Sequence, residues 1–193
     1  LRRALSLDPR YSAAHFNLGN ALGELGQVDA AMAHYEQAIA ADPRHLGARI
    51  NFAGALHRRG QLEAASLHYA EAVRLHPASA LAHYNFAVIL GERGLDRESV
   101  LELHEALRLR PRYAAARNAL GNALVAKGDL AGAMQEYQET LRHAPHYAKA
   151  HRNLGGIYAF WGRWQDAILH YQKALEIDPH YAKARSDLAA AER

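Results

Sequence analysis

The chain has 193 residues, with 23 Lys and Arg against 20 Asp and Glu, a formal charge of +3 and a pI near 9.2. The lack of cysteine excludes disulfides and thiolate-bound metal, and no apolar run is long enough to span a bilayer. Charges of both signs are mixed along the chain, without a long basic run, which argues against nucleic acid as a partner despite the basic pI.

Six prolines, Pro9, Pro43, Pro77, Pro111, Pro145 and Pro179, stand 34 residues apart, and Gly26, Gly60, Gly94, Gly128 and Gly162 keep the same interval. A fixed period of this length decides the architecture before any local pattern does. Residues 1–11 read as the tail of a unit. Leu1 falls inside a second helix with no Met before it, so the sequence reads as a fragment, and the missing signal peptide says nothing about the whole protein. No compartment is legible, the cytoplasm being the default.

The first full unit, 12–45, carries NLGNALGELG, with Asn17 and Asn20 in its first helix and Ala31 and Tyr35 in its second. Gly26 closes the first helix, because glycine takes the left-handed conformation without steric cost. Pro43 closes the second, because proline lacks the amide donor and disfavours helix in the residue before it. Unit 46–79 repeats the design, with Ala48, Phe52, Ala55 and Leu56 at helical spacing up to Gly60. Its second helix holds Leu62, Ala65, Leu67, Tyr69, Ala72, Val73 and Leu75 up to Pro77. Unit 80–113 carries NFAVILGERG but has Ser99 and Leu103 where the others have alanine and tyrosine. Unit 114–147 has Ala119 in the asparagine place, with Asn118 one residue earlier, and Ala133 with Tyr137 in its second helix. Unit 148–181 carries NLGGIYAFWG and the pair Ala167 and Tyr171, and 182–193 is a terminal helix. Asp29, Glu63, Asp129 and Asp166 lie early in the second helices, where the helix dipole favours negative charge.

Helices of about a dozen residues are marginal alone in water, so their stability has to come from neighbours. Small residues at Gly19, Ala53, Ala87, Gly121 and Gly155 mark where backbones approach, with tyrosines filling the gaps. No segment alternates with period two. The expected fold is all-α, a right-handed α-solenoid of antiparallel helix pairs.

A 34-residue helix–turn–helix unit with Ala-x3-Tyr in the second helix and a closing proline resembles the tetratricopeptide repeat, over the whole chain. The family's usual first-helix tryptophan is replaced by His15, Arg49, His83, Arg117, His151 and Arg185. The Asn-Leu-Gly-Asn style is similar to the repeat array of O-linked N-acetylglucosamine transferases and to bacterial scaffolds of the same repeat. The resemblance implies that the first helices line a concave groove for a protein or peptide ligand. Asn17, Asn51, Asn85 and Asn153 would then offer amides able to pair with any peptide backbone. The alternatives are inheritance by duplication or a bond to a neighbouring repeat. Phe16, Asn20, Ile50, Leu81, Tyr84 and Val88 would line the amino-terminal half, and Asn118, Asn122, Lys149, Arg152 and Lys183 the other. Asn122, Asn153 and Lys183 match three places of the clamp by which some members hold a chaperone's terminal carboxylate. Asn118 and Asp187 stand where that clamp needs Lys and Arg, and an aspartate repels such a ligand.

Nothing in the sequence marks an enzyme, since no nucleophile elbow, P-loop or dinucleotide fingerprint is present. Asp8, Asp42 and Asp178 precede turn prolines and read as turn residues. His143, His146 and His151 form the densest histidine group, but no acid or cysteine joins them, so they read as turn residues and no metal or other cofactor is expected. His34, His68 and His170 share one place in the second helix and read as an inherited, outward-facing set. The expected function is a non-enzymatic scaffold gripping an extended peptide. A substrate-recruiting arm of a larger enzyme such as a glycosyltransferase, or end-to-end self-association through exposed repeat faces, are the alternatives.

Overall fold

The computed structural model describes residues 7–193, so the start of the partial repeat expected at 1–11, including the second-helix reading of Leu1, lies outside the described residues. Eleven helices and no strand occur among the described residues. In order they are α1 Ser12–Glu24, α2 Val28–Ala41, α3 Leu46–Arg58, α4 Leu62–Leu75, α5 Ala80–Glu92, α6 Asp96–Leu109, α7 Ala114–Ala126, α8 Leu130–His143, α9 Ala148–Phe160, α10 Trp164–Ile177 and α11 Ala182–Ala191. The fold is an all-α solenoid of tandem helix pairs. The helices gather into two compact units, one ending at Glu105 and the other running from Ala106 to Arg193. None is long and apolar enough to cross a membrane.

Each of the five repeating glycines has a positive φ, between 72° and 81°. The amide after it reaches back into the helix it closes, as Gln27 N to Leu22 O (2.9 Å) and Asp129 N to Leu124 O (2.9 Å) do. That closure satisfies carbonyls that the helix end would leave bare. The proline turns close by a second device. Asp8, Asp42 and Asp178 accept from the amide two residues on at 2.9–3.0 Å, which fixes the turn through Pro9, Pro43 and Pro179.

Within each unit the helices pack as consecutive pairs, and alternate first helices also touch, α3 with α5 and α9 with α11. In the amino-terminal unit Tyr35, Phe52, Leu56, Tyr69 and Ile89 form one buried cluster. In the carboxy-terminal unit Tyr137, Leu154 and Ile157 do the same. Burying one such side chain contributes about 1.5–3 kcal/mol, which short helices cannot obtain alone. Glycine permits the closest approach. A Cβ on Gly155 would sit 2.5 Å from the Tyr171 ring, and Gly19 and Gly121 meet Tyr35 and Tyr137 in the same way.

The six residues in the family's tryptophan place all bond to the carbonyl of the turn proline six residues earlier. His15, His83 and His151 donate from Nε2 to Pro9, Pro77 and Pro145 at 3.0–3.1 Å. Arg49, Arg117 and Arg185 donate from Nη2 to Pro43, Pro111 and Pro179 at 2.6–3.1 Å. A packing residue has thus become a polar clamp that ties each turn to the helix after it. The place on the second helix that faces the clamp corrects the expectation for His34, His68 and His170, which are half-buried against it instead of facing outward. With Nε2–H of His15 committed to Pro9, its Nδ1 accepts from Nδ1–H of His34 at 3.0 Å, and His151 accepts from His170 at 3.1 Å likewise. The same place holds Glu102 beside His83 (2.5 Å) and Glu136 beside Arg117 (2.8 Å). His68 lies edge-on to Phe52.

These histidines titrate against the fold. Burial pushes His34, His68 and His151 below their ordinary value, and burial with the His151 charge pushes His170 down to about 4. Around the His151–His170 pair, Lys173 and His146 add to this direction, while Glu176 and Asp166 oppose it. In the unfolded chain such groups protonate near about 6.5. The folded state therefore binds fewer protons below that value, and the stabilisation present above it is lost as pH falls towards about 4.

Gly155→Ala forces the Tyr171 ring to move and lowers the melting temperature, since overpacking costs about 1–3 kcal/mol. Its neighbour Gly156 has open space, so Gly156→Ala raises the melting temperature by removing a helical glycine worth about 0.5–1 kcal/mol. The double change His151→Arg with His170→Glu, which copies the Arg117–Glu136 pair, flattens the fall in melting temperature between about pH 7 and about pH 5.5, the range in which the unfolded histidines take up protons. An unchanged fall assigns that acid sensitivity to other groups.

Candidate functional site

The asparagines form a network between repeats. Tyr35 donates its hydroxyl to Asn20 Oδ1 at 3.0 Å, and Asn51 of the next repeat donates Nδ2 to the same oxygen at 2.7 Å. The carboxy-terminal unit repeats this with Tyr137 to Asn122 Oδ1 at 2.7 Å and Asn153 Nδ2 to Asn122 Oδ1 at 2.9 Å. A further bond runs from Asn153 Nδ2 to Asn118 Oδ1 at 3.0 Å. Burial pushes the Tyr137 phenol up to about 12, so its proton stays in place at any physiological pH. Each amide bond of this kind contributes about 0.5–1.5 kcal/mol net, more than the few tenths that asparagine costs a helix.

In one unit the three places change together. Where Leu103 replaces the tyrosine, Val88 stands in the acceptor place and Ala119 in the following asparagine place. Gly54 leaves Asn85 without such an acceptor, and Asp187, in the asparagine place of the terminal helix, instead accepts from Arg152 Nε at 2.6 Å.

The expected groove residues divide by this geometry. Asn17, Leu81, Lys149 and Lys183 are exposed, and Asn20, Tyr84, Asn85 and Val88 are half-buried. Phe16 packs its ring on His45 and Tyr35, over Gly47, and so joins α1 to the start of α3. Ile50, expected to line the groove, is 8 % exposed and sits mostly in the core. Asn118 is 6 % exposed and serves the repeat contact. Arg152, expected to line the other half, is paired with Asp187. Asn51, Asn122 and Asn153 each spend part of their bonding on one another.

Two clefts occupy the same repeat place on the first-helix face. One, of about 630 Å³, lies between α1 and α3, and Asn20, Asn51, Tyr35, Ile50, Glu24 and Arg58 are among its lining residues. The other, of about 400 Å³, lies between α7 and α9, where Asn122, Asn153, Arg152, Val125, Ile157 and Phe160 take part. Val125, Ile157 and Phe160 escaped the sequence reading. Aligning the units would have found Phe160, since its place otherwise holds Glu24, Arg58, Glu92 and Ala126. Among the described residues no group of three metal-binding side chains occurs.

Comparison with known proteins bears on the fold. The tetratricopeptide repeat family model matches residues 12–45 and 148–181, and a second model described as TPR repeat matches 121–159. No catalytic family is among these matches. No curated protein matches the chain. The solved structure of YrrB, described as a TPR protein with an unusual peptide-binding site, is 21 % identical with a TM-score of 0.71, over 100 % of this chain and 97 % of that one. TTC0263, a thermophilic TPR protein of Thermus thermophilus, is 23 % identical with a TM-score of 0.78, over 94 % and 98 %. MamA is 23 % identical with a TM-score of 0.70, over 89 % and 94 %. At these identities the likeness is one of fold. Taken with the unbroken 34-residue period, the matched repeats and the helix-pair solenoid show that the chain belongs to the tetratricopeptide repeat family.

Proposed function

We propose that this chain is a non-enzymatic protein-interaction scaffold that holds an extended segment of a partner on its first-helix face. The observation that carries the reading is the recurrence of one cleft in both units, each with a pair of asparagines among its lining residues. The bonds within each pair leave Asn153 Oδ1 and the Nδ2 groups of Asn20 and Asn122 available to a ligand. Asn17 and Asn85 lie in the same row without a partner asparagine, and an amide serves a peptide backbone whatever its side chains. The likeness to YrrB, whose own description mentions a peptide-binding site, supports the same direction.

A second reading has its own observation. Leu67 and Leu101 share one place on the second helices and are 73 % and 68 % exposed, so the outer face also offers apolar surface. A random peptide array separates the two. The double variant Asn17→Ala with Asn85→Ala should weaken the bound peptides about fivefold or more and nearly uniformly, because backbone contacts carry no side-chain information. Leu67→Ala with Leu101→Ala should change little. The opposite pattern assigns binding to the outer face, and an array with no bound peptide contradicts the scaffold reading.

A further inference from the structure

We propose that the cleft between α7 and α9 is an anchor pocket for one large apolar side chain, carried by an acidic segment of the partner. The inference rests on the scaffold reading and adds the chemistry of the ligand.

The two clefts make the argument, because they occupy one repeat place and differ most in three residues. Gly23, Ile50 and Arg58 of the amino-terminal cleft correspond to Val125, Arg152 and Phe160 of the carboxy-terminal one. The first therefore has Glu24 and Arg58 among its lining residues, whereas the second has Val125 and Phe160, and its one cation, Arg152, is paired with Asp187. Phe160 is 76 % exposed, and Val125 is exposed beside it, while Ile157 lines the same cleft from the core. Gly156 keeps the space open, since a Cβ there would meet nothing within 4 Å. Phe160 and Val125 together make an exposed apolar patch at a cleft, at a place where Glu24, Arg58, Glu92 and Ala126 stand in other units, and such a patch marks an interaction site. The volume, about 400 Å³, is near the lower end of ligand pockets, which run to about 300–1,000 Å³, and suits a side chain.

The charge around the cleft selects the rest of the segment. The first helices of this unit, α7, α9 and α11, carry Arg117, Lys149, Arg152, Lys183 and Arg185 against the single acid Asp187. Arg117 and Arg152 are paired with Glu136 and Asp187. Lys149 and Lys183 are exposed at the same place of successive units. An acidic chain lying across these lysines gains attraction that a neutral or basic one does not.

Short fluorescein-labelled peptides test this by anisotropy: an acidic one with a central phenylalanine, the same with alanine, and a lysine-flanked phenylalanine peptide. The acidic phenylalanine peptide should bind the parent at least about tenfold tighter than either of the others. Phe160→Ser and the cleft-filling Gly156→Leu should each remove the preference for phenylalanine over alanine. Lys149→Glu with Lys183→Glu should remove the preference for acidic flanks and flatten its salt dependence. Circular dichroism melts check that each variant folds, and two independent changes address the cleft. Equal binding of the phenylalanine and alanine peptides to the parent overturns the anchor. If such binding still falls in the Asn17→Ala and Asn85→Ala variant, the scaffold reading stands without it. Failure of all three peptides to bind overturns the anchor as well, and the array then decides the scaffold reading separately. Concentration-dependent dimerisation abolished by Phe160→Ser also overturns it, by making a second copy the occupant.

Discussion

In three of the five full units a tyrosine ring lies against a first-helix glycine and fixes how closely the two helices approach. At Gly19, Gly121 and Gly155 the ring stands where a Cβ would be, so no larger residue fits without displacing it. The aromatic bodies of Tyr35, Tyr137 and Tyr171 are buried by this approach, which gives short helices the burial they lack alone. The hydroxyl has a different destination. In Tyr35 and Tyr137 it meets an asparagine, and that asparagine also receives the amide of the next repeat. One side chain thereby couples the core of a repeat to its face and to its neighbour.

This coupling gives the paired asparagines a structural duty of their own. An unmet buried polar group costs about 1–3 kcal/mol, so a tyrosine hydroxyl without its asparagine would be a liability. In one unit the three places change together, as the apolar set Val88, Leu103 and Ala119, whereas Tyr69 and Tyr171 stand opposite Gly54 and Gly156. Asn17 and Asn85, outside these networks, are the members of the row whose amides are least committed. The turn clamps follow a similar logic. Histidine and arginine alternate in one place, and each reaches a proline carbonyl that a helix start cannot satisfy. The partner residue on the second helix then decides how a pair responds to acid. Arg117 with Glu136 places opposite charges together, whereas His151 with His170 sets two groups that resist protonation side by side.

Much of the fold was legible in the sequence because prolines and glycines act locally. Pro43 or Gly60 ends a helix through its own backbone, so a fixed interval between them reports the repeat directly. The asparagine row was legible as a pattern but not in its use. Asn51 reaches Asn20, 31 residues away, and nothing in either local stretch announces the bond. Ile50 and Arg152 share one place of the unit, yet one enters the core and the other pairs with Asp187. His34 and His170 looked outward because helical periodicity gives a direction relative to the helix axis, whereas the neighbouring clamp supplies a polar partner that periodicity cannot see. Phe160 was passed over for the opposite reason. A single exposed aromatic is ordinary in one helix and becomes informative only when its place is compared across units.

The claim at the centre of this account is that the paired asparagines bond one repeat to the next. A double-mutant cycle on the intact chain, with Asn122→Ala, Asn153→Ala and the two together, measures it by chemical denaturation. The account predicts that each single change destabilises and that the pair is coupled by at least about 0.5 kcal/mol, so that the double variant loses less than the two singles added. Strict additivity would contradict it, and would leave the asparagines as independent groups that merely lie side by side.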